Sequence, residues 1–400
     1  MPLHSIKTIL EKNKCICIID NSSLEIEFDG IKNTIEIEPE WTKVIKSFNR
    51  SNQYSFDGDT RRLIGPKSIE IGVSRLNGSA QYMFTRTNYT LKNTNNRIVN
   101  LSLASDFFAL SFFFSQEYSD FFNVNISRKL KNKRIRTFNE LLWRPYSITF
   151  SAQRKTDTSK LLSEGIPALD ACLFKLASEL GSCWEFMKKR RERLMPEYED
   201  IDTDNMSIPM AKYDPNMLKY FKVAVSSQFP SQSYLSYYHV LEYNFLSVSD
   251  EVLHSRVKTH IHSTEFNGSN TQIEKIINII KKHNDKSDET EMLTRVLRKY
   301  INEDELIDFI EELENRINIK LYTKTADVFG EKLQIQTKKD HAISNTAKVL
   351  KHIRNALVHS SDRYNRDDCH IPLTESEFVI EKYIPLISFL AEKVICATSS

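Results

Sequence analysis

The chain has 400 residues, 40% of them hydrophobic and 27% charged, and its 55 basic against 53 acidic side chains leave a formal charge of +2. That size calls for two domains, each with its own core, and the composition excludes collagenous and disordered classes. A near-neutral chain has no global cationic field, so contact with a polyanion falls to local basic patches. Only nine glycines are present, and neither G-x-G-x-x-G nor G-x-x-x-x-G-K-[ST] occurs, which disfavours dinucleotide folds and phosphate-cradling loops.

From the start of the chain, Met1 to Lys14 lacks the apolar run of a signal peptide. The longest apolar stretch, Leu101 to Ser115, carries Asp106 and falls short of the roughly 20 residues a bilayer span takes. The expectation is a cytoplasmic chain with no membrane association. Leu24, Ile26 and Phe28 alternate with Glu25 and Glu27, Asp29-Gly30 supplies a turn, and Ile35 and Ile37 alternate with Glu36 and Glu38, which predicts a hairpin. Further strands are expected at Ser68 to Val73, Gln81 to Phe84, Ile98 to Leu103, Phe107 to Phe114 and Ser147 to Phe150.

After Phe150 the period changes. Ala168, Leu169, Leu173, Leu176 and Leu180 recur at helical spacing and predict a helix reaching Met195, ahead of Pro196 and an acidic linker from Glu197 to Asp204. From about Asp214 onward the pattern is helical, with helices expected at Gln232 to Val248, Thr271 to His283, Thr290 to Tyr300, Glu303 to Ile317, Asp340 to Val358 and Thr374 to Ala397. The fold class is α+β: a β-rich domain over 1–155, a helical connector and acidic linker over 156–210, and an all-α bundle over 211–400. Six cysteines occur without a C-x-x-C pair, so zinc-ribbon chemistry is not indicated and free thiols are expected.

Nine of the ten histidines lie in the C-terminal half. There the segment Lys351-His352-Ile353-Arg354-Asn355-Ala356-Leu357-Val358-His359-Ser360 stands out. Arginine and histidine at this kind of spacing also occur at Arg256 and His262 and at Arg363 and His370, so spacing alone selects nothing. Context separates them: Arg256 is followed by Val257, and Arg363 to His370 reads as loop. With about 100° per residue, Arg354 falls about 20° from Ile343, inside the apolar stripe of Ile343, Ala347, Leu350 and Leu357. A guanidinium in that stripe needs a partner or a polar cleft. His359 lies about 140° further round, so it meets Arg354 only if the helix ends near Val358 or a second subunit supplies the opposing pair.

Arg-Asn followed by three residues and His, closing a long helix of a compact helical domain, resembles the signature of the HEPN superfamily. The resemblance covers about the last 190 residues, and many members of that superfamily are metal-independent ribonucleases that dimerise with both Arg/His sets facing one cleft. It implies RNA as substrate, no metal and no cofactor, and a homodimer or higher homo-oligomer. His359 would act as general base or acid, Arg354 would hold the scissile phosphate, and Asn355 would orient either. It also implies a toxin or abortive-infection role in anti-phage defence, with the N-terminal domain sensing a phage-derived trigger or meeting an antitoxin. Arg354 and His359 as helix-terminal cations opposite the helix dipole are the plainer account.

Glu242, within Tyr234-Leu-Ser-Tyr237-Tyr238-His239-Val-Leu-Glu242-Tyr243, is a supporting candidate that could pair with Arg354, or lie on a solvent face. The tyrosines read first as core. Two basic runs are candidate RNA contacts: Arg128, Lys129, Lys131, Lys133, Arg134 and Arg136, and Lys188, Lys189, Arg190 and Arg191, together with Arg193. Either run alone also reads as a solvated face. His260-x-His262 lacks a third ligand at metal spacing, and the cluster Phe107, Phe108, Phe112, Phe113 and Phe114 reads as core. Two other functions stay open: a non-catalytic dimeric interaction or RNA-binding protein in a defence or toxin–antitoxin complex, and a module modified by a paired nucleotidyltransferase, with Tyr364 as acceptor.

Overall fold

In a computed structural model of the protein, which describes residues 4–20, 23–51, 53–76, 88–92, 97–187, 208, 210–285, 288–358 and 369–399, the chain divides into two units, Met1–Arg191 and Glu192–Ser400. In the first, α1 (His4–Lys12) precedes an antiparallel meander of β1 (Ile16–Ile19), β2 (Ser23–Phe28) and β3 (Ile31–Glu36). Phe28 pairs with Ile31, and the Asp29 and Gly30 between them have φ of 54° and 77°, the two positive angles that a two-residue type I′ turn requires. Leu24, Ile26 and Ile35 point inward and the glutamates outward, as the alternation predicts. Then α2 (Pro39–Arg50), opened by a proline at its first turn, buries Trp41 and Ile45.

The second sheet is antiparallel throughout. It runs β4 (Ser55–Asp57), β5 (Arg62–Ile64), β6 (Ser68–Arg75), β9 (Tyr146–Ser151), β8 (Ile98–Leu103) and β7 (Tyr89–Lys92) across, and β10 (Trp184–Phe186) continues β6's edge beyond β5. Gly72 marks the handover: its N–H donates to Arg61 O, and its carbonyl accepts from Met187 N. The strands expected at Ser68, Ile98 and Ser147 are present, whereas Gln81 to Phe84 lies outside the described residues.

The expected strand Phe107 to Phe114 is instead α3 (Asp106–Phe113). Ser105 caps it by accepting from Phe108 N, and Phe108, Phe112 and Phe113 are buried on several sides, so the run carries no periodicity to separate helix from strand. Glu70 of β6 ties the cap to the sheet, accepting from Ser105 N at 2.7 Å and from Ser147 Oγ at 2.7 Å. Past α3 come α4 (Tyr118–Phe121), a π-helical turn at Phe122–Ile126 and α5 (Ser127–Lys131).

The helix expected to reach Met195, α6 (Thr158–Leu180), stops at Gly181. Gly181 adopts the left-handed conformation at φ 61°, and the amides of Gly181 and Ser182 close back on Ala177 O and Leu176 O. Nor is α6 a connector: Leu161, Leu169, Leu173 and Leu176 share a core with Ile69, Ile148 and Phe150, so 156–187 belongs to the first unit. The acidic stretch Glu197 to Asp204 lies outside the described residues.

The second unit holds α7 (Pro215–Ser226), α8 (Pro230–Glu242), α9 (Phe245–Ile261), α10 (Asn270–Asp285), α11 (Glu289–Tyr300), α12 (Glu303–Ile317), α13 (Ala342–Val358), α14 (Ser376–Glu381) and α15 (Ile384–Ala397). Asp214, Asp288 and Asn302 cap α7, α11 and α12 through their side chains. Two expected helices are each a broken pair. Gln232 to Val248 breaks at Tyr243-Asn244, where the buried Asn244 amide reaches Met217 Sδ at 3.4 Å. Thr374 to Ala397 breaks before Pro385, which has no N–H and fits only the first turn of a new helix.

This unit is not purely helical. The hairpin of β11 (Ala326–Val328) and β12 (Glu331–Leu333) interrupts it, and His352 of α13 holds the hairpin through Val328 O at 2.8 Å and Glu331 Oε2 at 3.1 Å. Around α13 the expected stripe is real: Ile343, Ala347 and Leu350 are buried and Leu357 packs against the same core. Tyr234 of α8 crosses to donate to Leu350 O at 2.9 Å, fixing α8 against α13.

Candidate functional site

Arg354 sits on the core-facing side of α13, with its side chain 23% exposed. Its Nε lies 3.2 Å from Glu289 Oε1 at the start of α11, its NH1 donates to Asn355 Oδ1 at 3.3 Å, and its NH2 stands 4.0 Å from Glu242 Oε1 at the end of α8. The guanidinium in the apolar stripe is therefore paired, and Glu242 is within ion-pair distance of it. The 4.0 Å separation exceeds a hydrogen bond, so Glu289 and Asn355 leave both NH2 protons and one NH1 proton without an acceptor in range among the described residues.

Glu289 carries more of the pairing than Glu242, and the sequence reading missed it. Tyr238, 1% exposed, donates to the same Glu289 Oε1 at 3.0 Å, so α8, α11 and α13 meet on one carboxylate. Burial, followed by the charge of Glu289, pushes the Tyr238 phenol far above its ordinary range and keeps it a donor. The available signal was the cap: Asp288 followed by Glu289 and Glu291 marks a helix start, but nothing local ties that start to Arg354. Lys351 adds a looser pair with Asp288 at 3.9 Å.

Glu242 also holds His239, one turn earlier on α8, through Nδ1 to Oε2 at 2.9 Å. That hydrogen bond is the largest cause of a Glu242 pKa below the usual carboxylate value, and the charges of His239 and Arg354 push the same way against partial burial. The His239 ring lies 5.3 Å from that of Tyr220 of α7, tilted by 39°. Tyr234 and Tyr237 are core residues, as expected of the tyrosines in this helix.

His359, the other half of the expected pair, lies outside the described residues, as do Tyr364 and the basic run Lys188, Lys189, Arg190 and Arg191 with Arg193. Arg128, Lys129, Lys131, Lys133, Arg134 and Arg136 are all exposed around α5 and the turn after it, anchored by buried Leu130 and Ile135. Within that run Lys131 is paired with Asp29 at 2.8 Å. Of the two rival Arg/His spacings, Arg363 lies outside the described residues. Arg256 lies on α9 and His262 is the residue just past its end, about 120° round the helix axis, and His370 is buried against Ser376 and Glu377, at 2.9 and 3.5 Å.

A second polar cluster is enclosed: Ser249 Oγ accepts from Arg295 NH1 at 2.8 Å and meets His283 Nε2 at 3.0 Å, all three residues being 8% exposed or less. Burial, then Arg295 and Arg256, pushes the His283 pKa down, which suits an interior tie between α9, α10 and α11. Among the described residues no group of three His, Cys, Asp or Glu side chains converges on a common point for a metal. No disulfide links the cysteines; Cys15 and Cys17 are buried, their thiol pKa values pushed up by burial to about 12 and about 11.

Comparison of the chain with protein-family models, curated proteins and solved structures finds no match.

Proposed function

We propose that the second unit is a HEPN-type, metal-independent endoribonuclease, acting as a homodimer or larger assembly, and that the chain serves as a toxin or abortive-infection effector in anti-phage defence. The first unit is then its sensing or regulatory part, answering to a phage-derived trigger or an antitoxin, and the protein works in the cytoplasm. No helix among the described residues is long and apolar enough to cross a membrane. The observation that carries the reading is Arg354: a guanidinium on the core-facing side of α13, held through Nε by Glu289, with no acceptor within hydrogen-bond distance of its NH2 among the described residues.

Held in that way, Arg354 can grip two oxygens of a phosphodiester and stabilise the charge that builds on them as the ribose 2′-hydroxyl attacks. Asn355 keeps the guanidinium plane, and His359 exchanges a proton with the 2′-oxygen or the leaving oxygen. Nothing in the scheme takes a cofactor. A second reading, a non-catalytic dimeric interaction or RNA-binding protein, draws on one observation: Glu242 and Glu289 bring two carboxylates to one guanidinium, which weakens its hold on phosphate.

Purified protein incubated with RNA, with and without EDTA, separates the two. The nuclease reading expects cleavage that survives EDTA and is lost in His359→Ala. Activity that survives His359→Ala overturns the site assignment, and loss of cleavage in EDTA overturns the metal-free chemistry.

A further inference from the structure

We propose that His239 is a second proton-transfer residue of the Arg354 site, held by Glu242; the inference rests on the nuclease reading above. Residues three apart on a helix share a face, which puts His239 and Glu242 side by side on α8. One carboxylate then serves two neighbours: Oε2 takes the His239 Nδ1–H at 2.9 Å, and Oε1 faces Arg354 NH2 at 4.0 Å. A carboxylate on Nδ1 fixes the tautomer in which Nε2 carries the lone pair, the form that accepts a proton. The ring is 47% exposed, and Tyr220 behind it limits its rotation. The proton acceptor and the phosphate clamp are thereby coupled through a single side chain.

In the step this geometry serves, the 2′-hydroxyl proton passes to His239 Nε2 as the O2′–P bond forms. The P–O5′ bond breaks, and the departing 5′-oxygen takes a proton from water. The products are a 2′,3′-cyclic phosphate and a 5′-hydroxyl, and the imidazolium returns its proton to solvent, so protons balance. The groups that meet His239 are Glu242 on its own helix and Tyr220 from α7, with Arg354 of α13 and Glu289 of α11 beyond the carboxylate. Glu242 is a positioning residue here, since it acts through the imidazole.

The test compares full-length wild type, His239→Gln, Glu242→Gln and Arg354→Ala on one RNA oligonucleotide across a pH series, with imidazole ¹⁵N shifts read on the same wild-type and Glu242→Gln proteins. The proposal expects His239→Gln to lower kcat/KM by about 100-fold or more and to abolish the fall in rate toward acid pH. Glu242→Gln lowers kcat about 10-fold and turns a single Nδ1–H tautomer into a mixture. If wild type cleaves, Arg354→Ala does not, and His239→Gln keeps both the rate and the pH profile of wild type, His239 is refuted while the nuclease reading stands. Wild-type protein that cleaves no better than Arg354→Ala overturns that reading and this proposal together. An Nε2–H tautomer in wild type overturns the positioning role whatever the activity.

Discussion

Replacing Glu289 by Gln tests whether the Arg354 site is a built ion pair or a chance approach at a surface. At 3.2 Å and an effective dielectric of about 20, the direct attraction is about 5 kcal/mol before desolvation. Arg354 and Glu289 are 23% and 24% exposed, between the buried pairs whose loss costs about 3–5 kcal/mol and the exposed pairs worth about 0–1 kcal/mol. A net coupling of about 1–3 kcal/mol follows. Glutamine keeps an acceptor for Tyr238, whereas Glu289→Ala orphans that buried hydroxyl and costs about 1 kcal/mol more. The assay is a urea-unfolding cycle of wild type, Glu289→Gln, Arg354→Met and the double variant. Trp41, Trp143 and Trp184 all lie in the first unit, so fluorescence follows that unit and far-UV circular dichroism adds the helices of the second. The circular dichroism transition should move. A coupling below about 0.3 kcal/mol, as at an exposed pair, refutes the reasoning.

Gly165 lies where a Cβ would stand 2.9 Å from Ile69 Cδ1 and 3.2 Å from Phe150 Cδ1, so Gly165→Leu should cost about 1–3 kcal/mol in urea unfolding despite its better helix propensity; a stabilised variant contradicts the packing of α6 on the sheet. Gly30→Val meets no steric neighbour but forces a β-branched residue to φ near 77°, and should lower stability by about 1–2 kcal/mol. Buried Glu314 accepts from Tyr322 N, Thr323 N and the Thr323 hydroxyl at 2.6, 2.9 and 2.6 Å; burial pushes its pKa up, but these hydrogen bonds outweigh it and hold the pKa below 4.5. A depressed carboxylate stabilises above its unfolded pKa and loses that contribution as pH falls through the folded value. Glu314→Gln should therefore lower the melting temperature at pH 7, with the gap to wild type closing as pH falls below the ordinary carboxylate value and through the depressed folded one; a gap independent of pH contradicts this.

The elements most legible in the sequence were those whose signals are local. The Asp29-Gly30 hairpin, the helix Glu303–Ile317 and the strand Ile98–Leu103 each announce themselves by turn chemistry, a cap or alternation. Phe107 to Phe114 resembles a strand because burial on several sides erases periodicity, and α6 ends at Gly181, short of Met195, because the left-handed C-cap there competes with a helical pattern that continues past it. The two broken helices turn on Asn244 and Pro385, of which only the proline is a readable stop. For the site, helical phase alone placed Arg354 on the inner face and required a partner. It could not choose that partner: Glu242 was reachable from the pattern of α8, while Glu289 comes to Arg354 only through the packing of α11 against α8 and α13.

The measurement that bears most directly on the central claim is the chemistry of the RNA ends made by wild type and by Arg354→Ala under single-turnover conditions. The account predicts fragments ending in 2′,3′-cyclic phosphate and 5′-hydroxyl from wild type, and a rate at least about 100-fold lower in the variant, as expected when a main stabiliser of transition-state charge is removed. Cleavage by Arg354→Ala at the wild-type rate, or wild-type fragments with 3′-hydroxyl and 5′-phosphate ends, would contradict it.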